Sequence, residues 1–434
     1  MNKFKNNLLF KNILILLISG GIAKVIGMIG KIIYTRVAGV NIVSLYALIT
    51  PTLMLIITIT QFSLPISISK LSAEGKYKDN ALIKNAYILS FLVDIILMAL
   101  IVMSSKIIAN MLHNSELYKA ILSVIVILPF ISISSVQRGF LHGKEDMMPA
   151  GISNVVEEVV KIILIILILP LFVSKGNIVS IICIILFNVI TETISILIMN
   201  KEIKKKYKLK KAYINKNILK DIISISLPTT SVRLISSVGF FLEPIILTNI
   251  LLKTGYNSNY ITLEYGIINS YIIPLLSVPS FFSISIASAL LPNITKSYAS
   301  KRYNEFNSKL IKLMILSIVV GFICLIFIMI IPRQILTIIY NIDYGINYIY
   351  LIGPFFLILY MQPTLSVAMQ AMNKTNKLFI VSIVSIIIKY FILIITGLMN
   401  NGMNSLIYSI ITGIIITTSM MLFIILKELK KKDT

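Results

Sequence analysis

Five basic side chains fall inside long apolar runs: Lys24, Lys31, Lys161, Arg233 and Lys389. A charge held at membrane depth faces a bundle interior or a water-filled cavity, pairs with an acid or a carbonyl, and marks a substrate or ion pathway. Lys24 and Lys31 are seven residues apart, two helical turns, so they share one face of the first helix. Arg36 closes the same run, and Arg233 lies in the seventh. If the two halves of the chain face each other, these cations line one central cavity. Pyrophosphate suits such a cavity, because arginine offers a bidentate fork and lysine a point charge. The plainer alternative is that they snorkel to an interface or pair with acids.

Acids accompany the other cations. In VVEEVVKI, Glu157 and Glu158 precede Lys161 by four and three residues, so either can pair with it along a helix. That is a structural ion pair, or else a gate or a proton-linked carboxylate. Asp94, Glu192 and Glu243 are the other acids at membrane depth; Glu243, just before Pro244, is the candidate for coupling or gating. His113 and His142 have no ligand-like spacing, and Cys183 and Cys324 fall in apolar runs, so neither a metal, a cofactor nor a disulfide framework is expected. No catalytic constellation is visible.

The elements that must position these residues are transmembrane helices. Hydrophobic residues make up 57% of the 434-residue chain and charged residues 13%, and the mean hydropathy is +0.94. Run after run reaches the roughly 20 apolar residues that cross a bilayer. Twelve spans are read: 12–35, 42–66, 85–104, 120–137, 153–173, 178–199, 222–251, 265–291, 313–332, 345–369, 378–399 and 403–426. The first comes after Lys3 and Lys5 like a signal peptide, but it carries Lys24 and Lys31 and lacks an A-x-A site, so an uncleaved helix is expected.

The net charge of +23 points to topology rather than to nucleic acid. Of 40 Lys and Arg residues, 29 lie in the termini, the even-numbered loops and the central linker. The odd-numbered loops hold six: Arg36, Lys106, Lys119, Lys175, Lys253 and Arg333. This positive-inside asymmetry places both termini and the linker in the cytoplasm. The linker, 201–220, has nine lysines in twenty residues, which also attract anionic lipid heads. It divides an N-terminal bundle, 1–200, from a C-terminal one, 221–434.

The halves repeat each other. LPISISKLSAEGKY carries Lys70, Ala73, Lys76 and Tyr77, and LPNITKSYASKRY carries Lys296, Ala299, Arg302 and Tyr303 at a constant offset of 226. Pro129-Phe130 answers Pro354-Phe355, and Lys161 answers Lys389. Two like-oriented repeats of six spans form an all-α polytopic membrane protein of two pseudo-symmetric six-helix bundles. This is an architecture of secondary transporters, with cargo handled between the halves. A helical bundle with no transport role is the alternative.

PISISKLSAEG after the second span, and SVQRGFLHGKEDMMPAGISNVVEEVVKI across the fourth and fifth, resemble the stage V sporulation protein B group. Arg138-Gly139, Gly143, Pro149 and Glu157 follow that group's pattern, as do Thr35-Arg36, Gly39 and Tyr46 in the first loop. The group belongs to the superfamily of multidrug exporters, polysaccharide flippases and lipid II flippases. The likeness is strongest over residues 60–165. It departs in two ways: many relatives have 14 spans, and the acid in the seventh span is commonly Asp where this chain has Glu243. The resemblance implies a V of two six-helix bundles (a MATE-like fold), alternating access, a cationic central cavity and a lipid-linked glycan as cargo.

Together these readings give a flippase of the bacterial cytoplasmic membrane for a polyprenyl-pyrophosphate-linked envelope precursor, lipid II or a related lipid-linked oligosaccharide, in spore cortex or peptidoglycan synthesis. Lys24, Lys31, Arg36 and Arg233 hold the pyrophosphate; Arg138, Glu157 and Lys161 form a gate and its support, with Glu243 and Lys389 as further gating or coupling residues. The expected partners are the glycan lipid, anionic lipids and cell-wall synthesis enzymes, not nucleic acid. Three alternatives stand beside it. An Na⁺- or H⁺-coupled multidrug exporter would place acids where the first helix has lysines. A polyprenyl-phosphate glycosyltransferase would need an acid in an early loop, and TRVAGVN has none. A non-transporting scaffold would recruit enzymes through the basic loops.

Overall fold

In a bilayer the backbone must satisfy its own hydrogen bonds, so long apolar runs become helices. The computed structural model describes the backbone of residues 2–207 and 213–433, and the side chains there except 2–17, 285–286, 288–293 and 431–433. The described residues are helical with no strand. The first unit of the chain carries α1 (Asn2–Gln61), α2 (Leu64–Glu74), α3 (Asp79–Met111), α4 (Leu117–Ser123), α5 (Leu128–Gly143), α6 (Met147–Leu167), α7 (Leu169–Val173) and α8 (Asn177–Tyr207). Next come α9 (Lys216–Lys253), α10 (Ser258–Gly266), a π-helical stretch (Ile267–Ile272), α11 (Ile273–Ala299) and α12 (Tyr303–Ile330). The last are α13 (Pro332–Tyr340), α14 (Ile346–Leu359), α15 (Gln362–Ala371), α16 (Thr375–Leu398) and α17 (Asn404–Asp433).

Among the described residues nine helices are long and apolar enough to cross a membrane, or ten if the pair Leu117–Val126 and Leu128–Gly143, bent by 44°, is one span. Each of the twelve expected runs nevertheless falls on helix. The lower count has two physical causes. The first two runs are joined without a loop inside Ile18–Glu74, and α6 carries Glu157, Glu158 and Lys161 within 21 residues. The only non-helical residue inside α1 is Gly39, at φ 75° and ψ 165°, a backbone region essentially confined to glycine. Phe62 and Ser63, at φ 43° and 46°, then turn the chain into α2.

The chain packs as two compact units, Met1–Leu242 and Glu243–Thr434. In the first, Leu64, Ile68 and Leu71 of α2 are buried with Val136 and Phe140 of α5, Ile203 of α8 and Ile222 of α9. Two glycines let α2 and α5 approach this closely. A Cβ on Gly139 would stand 2.9 Å from Pro65 Cα, and one on Gly143 would stand 2.5 Å from the Ser69 carbonyl oxygen. The two motifs of the stage V resemblance are therefore packed against each other. In the second unit Ile294 of α11, Phe306 of α12, Met369 of α15 and Ile425 of α17 share a core built from the corresponding helices.

The basic stretch 201–220 is helical over much of its length. α8 continues to Tyr207 with Lys204, Lys205 and Lys206 in its last turn, where cations favour the helix dipole, and α9 starts at Lys216. The intervening residues 208–212 lie outside the described set.

Candidate functional site: two cation clusters and a buried ion pair

Within the first unit, α1 lies along α6. Gly27 and Gly30 make this possible: a Cβ at Gly27 would meet Glu158 Oε2 at 3.1 Å, and one at Gly30 would meet Ile162 Cγ1 at 3.0 Å. Lys24, Gly27 and Lys31, at i, i+3 and i+7, form one stripe, so the Glu158 carboxylate stands over its middle. Lys24 and Arg36 are exposed and Lys31 is half-buried. Among the described residues Lys31 makes no hydrogen bond or ion pair, although the Glu158 carboxylate lies over the neighbouring turn.

Arg233 donates from Nη2 to Gln61 Oε1 at 2.8 Å, a neutral partner that leaves its charge uncancelled. That contact belongs to a row. Asp221, Ser226, Thr230, Arg233 and Ser237 recur every three to five residues along α9. They meet Lys76 Nζ (2.6 Å), Ser67 (2.8 Å), Ser63 (3.1 Å), Gln61 (2.8 Å) and Thr58 (3.0 Å) in turn. Hydrogen bonds at membrane depth average only ~0.6 kcal/mol each, so the seam is specific without being strong.

The second cluster joins α5, α6 and α8. Arg138 Nη2 donates to Glu157 Oε2 at 2.7 Å and to Ser195 Oγ at 3.2 Å, with Glu192 at 3.9 Å. Lys161 Nζ donates to Asn188 Oδ1 at 3.3 Å. Asn188, Glu192 and Ser195 occupy one face of α8 at i, i+4 and i+7. Glu157 thus pairs across helices with Arg138 and Lys161 donates to α8, and of the two acids that spacing offered to Lys161 along α6 it is Glu158 that feels its charge. Arg138 reaches farther than Lys161 and presents a fork, which suits a carboxylate one helix away.

In the second unit, the Lys389 ammonium of α16 donates to Glu243 Oε2 of α9. The Tyr265 hydroxyl of α10 lies 3.4 Å from Glu243 Oε1. Glu243 is 2% exposed, and the Lys389 side chain is 24% exposed. The structure therefore joins two residues singled out separately in the sequence. Asp94 stands apart, buried and accepting from Ser132 Oγ at 2.9 Å.

The two sets of cations differ in electrostatic character. Around Arg138 each basic group meets an acid or amide within the helix layer, whereas among the described residues Lys31 and Arg233 form no ion pair. A set that is already paired can hold helices in register, and one that is not can take an anion from outside. Sequence reasoning missed Gln61, Asn188, Ser195, Tyr265 and the α9 seam. The periodic Ser and Thr of α9 were the available signal.

The fold matches solved transporters over nearly its whole length. An inward-facing multidrug resistance MATE family transporter of the MOP superfamily aligns with TM-score 0.74 at 15% identity, covering 94% of this chain and 95% of the other. A MOP superfamily transporter from Pyrococcus furiosus, described as having a binding pocket of reverse polarity, aligns with TM-score 0.61 at 17% identity, over 98% and 96%. The architecture is that of a polytopic membrane transporter.

The sequence profile of the family described as "Polysaccharide biosynthesis protein" matches residues 9–298, and that of MatE matches residues 269–396. The chain belongs to the polysaccharide biosynthesis protein family. It is similar to "Stage V sporulation protein B" of Bacillus subtilis (strain 168), 28% identical over 94% of this chain and 82% of that protein. It is also similar to "Sporulation protein YkvU" of the same strain, 24% identical over 99% and 96%.

Proposed function

We propose that this transporter is a flippase that moves a polyprenyl-pyrophosphate-linked envelope precursor, lipid II or a related lipid-linked oligosaccharide, across the cytoplasmic membrane by alternating access. The observation that carries the reading is that Lys31 and Arg233, two cations at membrane depth in the first unit, have no carboxylate partner among the described residues. Keeping such charges uncompensated is costly in a bilayer, and a pyrophosphate would supply the missing charge through a guanidinium fork and an ammonium. Lys24, at the middle of the same span, and Arg36, at its end, complete the set that holds the pyrophosphate. Arg138, Glu157 and Lys161 brace the helices that carry the site, and Glu243 with Lys389 does the same in the second unit. The lipid tail stays in the bilayer and no bond is made or broken.

The excess of lysines in the even loops orients both termini to the cytoplasm, where the basic segments meet anionic lipids and cell-wall synthesis enzymes. Similarity to two sporulation proteins supports a role in spore cortex peptidoglycan synthesis.

The test is reconstitution into liposomes with fluorescent lipid II, scored by exposure of the head group to an external reagent. Wild type flips, and Lys31→Ala and Arg233→Ala each slow flipping at least about tenfold, the effect expected when one charge-assisted contact is removed. Protein that leaves lipid II in place while expelling a cationic dye under an ion gradient would refute the flippase and support an ion-coupled exporter.

A further inference from the structure

Where α9 ends and α17 begins, the second unit opens into a cleft of about 710 Å³, at the end of α17 remote from the C-terminus. Its size lies within the range of small-molecule sites, roughly 300–1,000 Å³. One wall is aromatic: Tyr256 and Tyr260 stack with centroids 5.7 Å apart and planes 21° from parallel, and Tyr260 is 40% exposed. The rest of the lining is polar. Tyr348 donates its hydroxyl to Glu264 Oε2 at 2.5 Å, and Asn347, Asn401 and Asn404 line the same space, the Asn401 amide donating to the Thr396 carbonyl at 3.1 Å.

Two glycines shape the cleft. Gly345 and Gly402 lie in its lining, both with positive φ, 92° and 55°. A Cβ on Gly402 would stand 2.8 Å from the Tyr256 hydroxyl. That hydroxyl is itself positioned by donating to the Asn400 carbonyl at 3.2 Å. Backbone turns, ring placement and the carboxylate are thus mutually fixed, as in a site formed before its ligand arrives.

We infer that this cleft is a saccharide-binding site that receives the glycan head group at the end of the second unit opposite the C-terminal end of α17. A sugar presents an apolar C–H face and a rim of hydroxyls. The stacked tyrosines offer a flat ring surface to the first; Glu264 accepts from hydroxyls, and the asparagine amides both donate and accept. A ring of interfacial tyrosines that only meets lipid headgroups is the competing account. It does not explain why a carboxylate and three amides share the concavity, since a carboxylate repels anionic headgroups. The inference rests on the flippase reading, because a glycan cargo is what brings sugar to this cleft.

The probe is chitobiose, the disaccharide of N-acetylglucosamine, monitored by saturation-transfer NMR on the full chain in nanodiscs. Binding to wild type is expected, weakened at least about tenfold in Tyr260→Ala and in Asn347→Ala, the loss expected for one stacking or hydrogen-bonding contact. Tyr348→Phe, which keeps the ring and releases Glu264, checks that any loss tracks the polar wall rather than misfolding. Size-exclusion profiles matching wild type establish that the variants fold. Absence of chitobiose binding to wild type, or binding equal in wild type and Tyr260→Ala, overturns the cleft and leaves lipid II flipping as an independent result. Chitobiose bound at Tyr260 by protein that flips no glycan lipid upholds the cleft and sinks the flippase.

Discussion

Removing one partner of the Glu243–Lys389 pair should damage the second unit unequally, depending on which partner is lost. Glu243 is 2% exposed, so in Lys389→Met its carboxylate is left buried with the Tyr265 hydroxyl at 3.4 Å as its remaining contact. Breaking a buried pair in this way costs about 3–5 kcal/mol. In Glu243→Gln the orphan is Lys389, whose side chain is 24% exposed and whose flexible stem lets the ammonium move toward water. That variant should lose less, roughly 1–3 kcal/mol, the range for leaving one polar group unsatisfied. The double variant removes both charges and should be more stable than Lys389→Met alone. The coupling should be at least about 2 kcal/mol, within the range for residues in contact. The assay is unfolding by SDS titration in mixed micelles for wild type, both single variants and the double. Losses that merely add, or a larger loss in Glu243→Gln than in Lys389→Met, would show that the pair is not held as a buried unit.

Packing between α2 and α5 gives a second expectation. Gly143→Ala places a Cβ 2.5 Å from a backbone oxygen and 2.6 Å from Ser72 Cβ, so it should destabilise by about 1–3 kcal/mol, as overpacking does. Gly20→Ala, with nothing within 4 Å, should be neutral or slightly stabilising because alanine is the better helix former; thermal unfolding of the two variants compares them directly. A third concerns pH. Arg333 donates to both carboxylate oxygens of Asp343 at 2.6 Å, and this hydrogen bonding holds the Asp343 carboxyl below its ordinary value. A depressed carboxyl contributes order that is present above the unfolded value, about 3.9, and is lost as pH falls through the folded one. Protection of residues 332–345 against hydrogen exchange, taken relative to the intrinsic rate at each pH, should therefore fall below about pH 4 and in high salt, since both groups are exposed. Protection that is flat with pH would show that the pair does not order the loop.

The sequence was most informative where a charge stood in an apolar run. Lys24, Lys31, Arg233, Glu243 and Lys389 could all be named because lipid tolerates few such residues, and Gly139 and Gly143 were legible as a motif before their packing gave the reason. Partners were less visible. Spacing along one helix offers Lys161 either Glu157 or Glu158, whereas Arg138 and Asn188 come from other helices whose juxtaposition no local pattern encodes. The α9 seam was missed because each Ser or Thr is individually ordinary in a membrane helix. The cleft of the second unit was missed because its tyrosines and asparagines come from three separate segments at helix ends and read, one at a time, as ordinary helix-end composition.

The Gly39 joint has a consequence for how this chain can vary. Most connections between spans absorb an added or lost residue as slack, but here one glycine is the whole connection, so length and rotational phase are tied together. A single insertion between Lys31 and Gly39 would turn the Lys24–Gly27–Lys31 stripe by about 100° relative to the helix beyond the joint and carry it off Glu158. The spacing from that stripe to the joint is in effect a ruler, and homologous chains that share the site should differ here in letters but not in count.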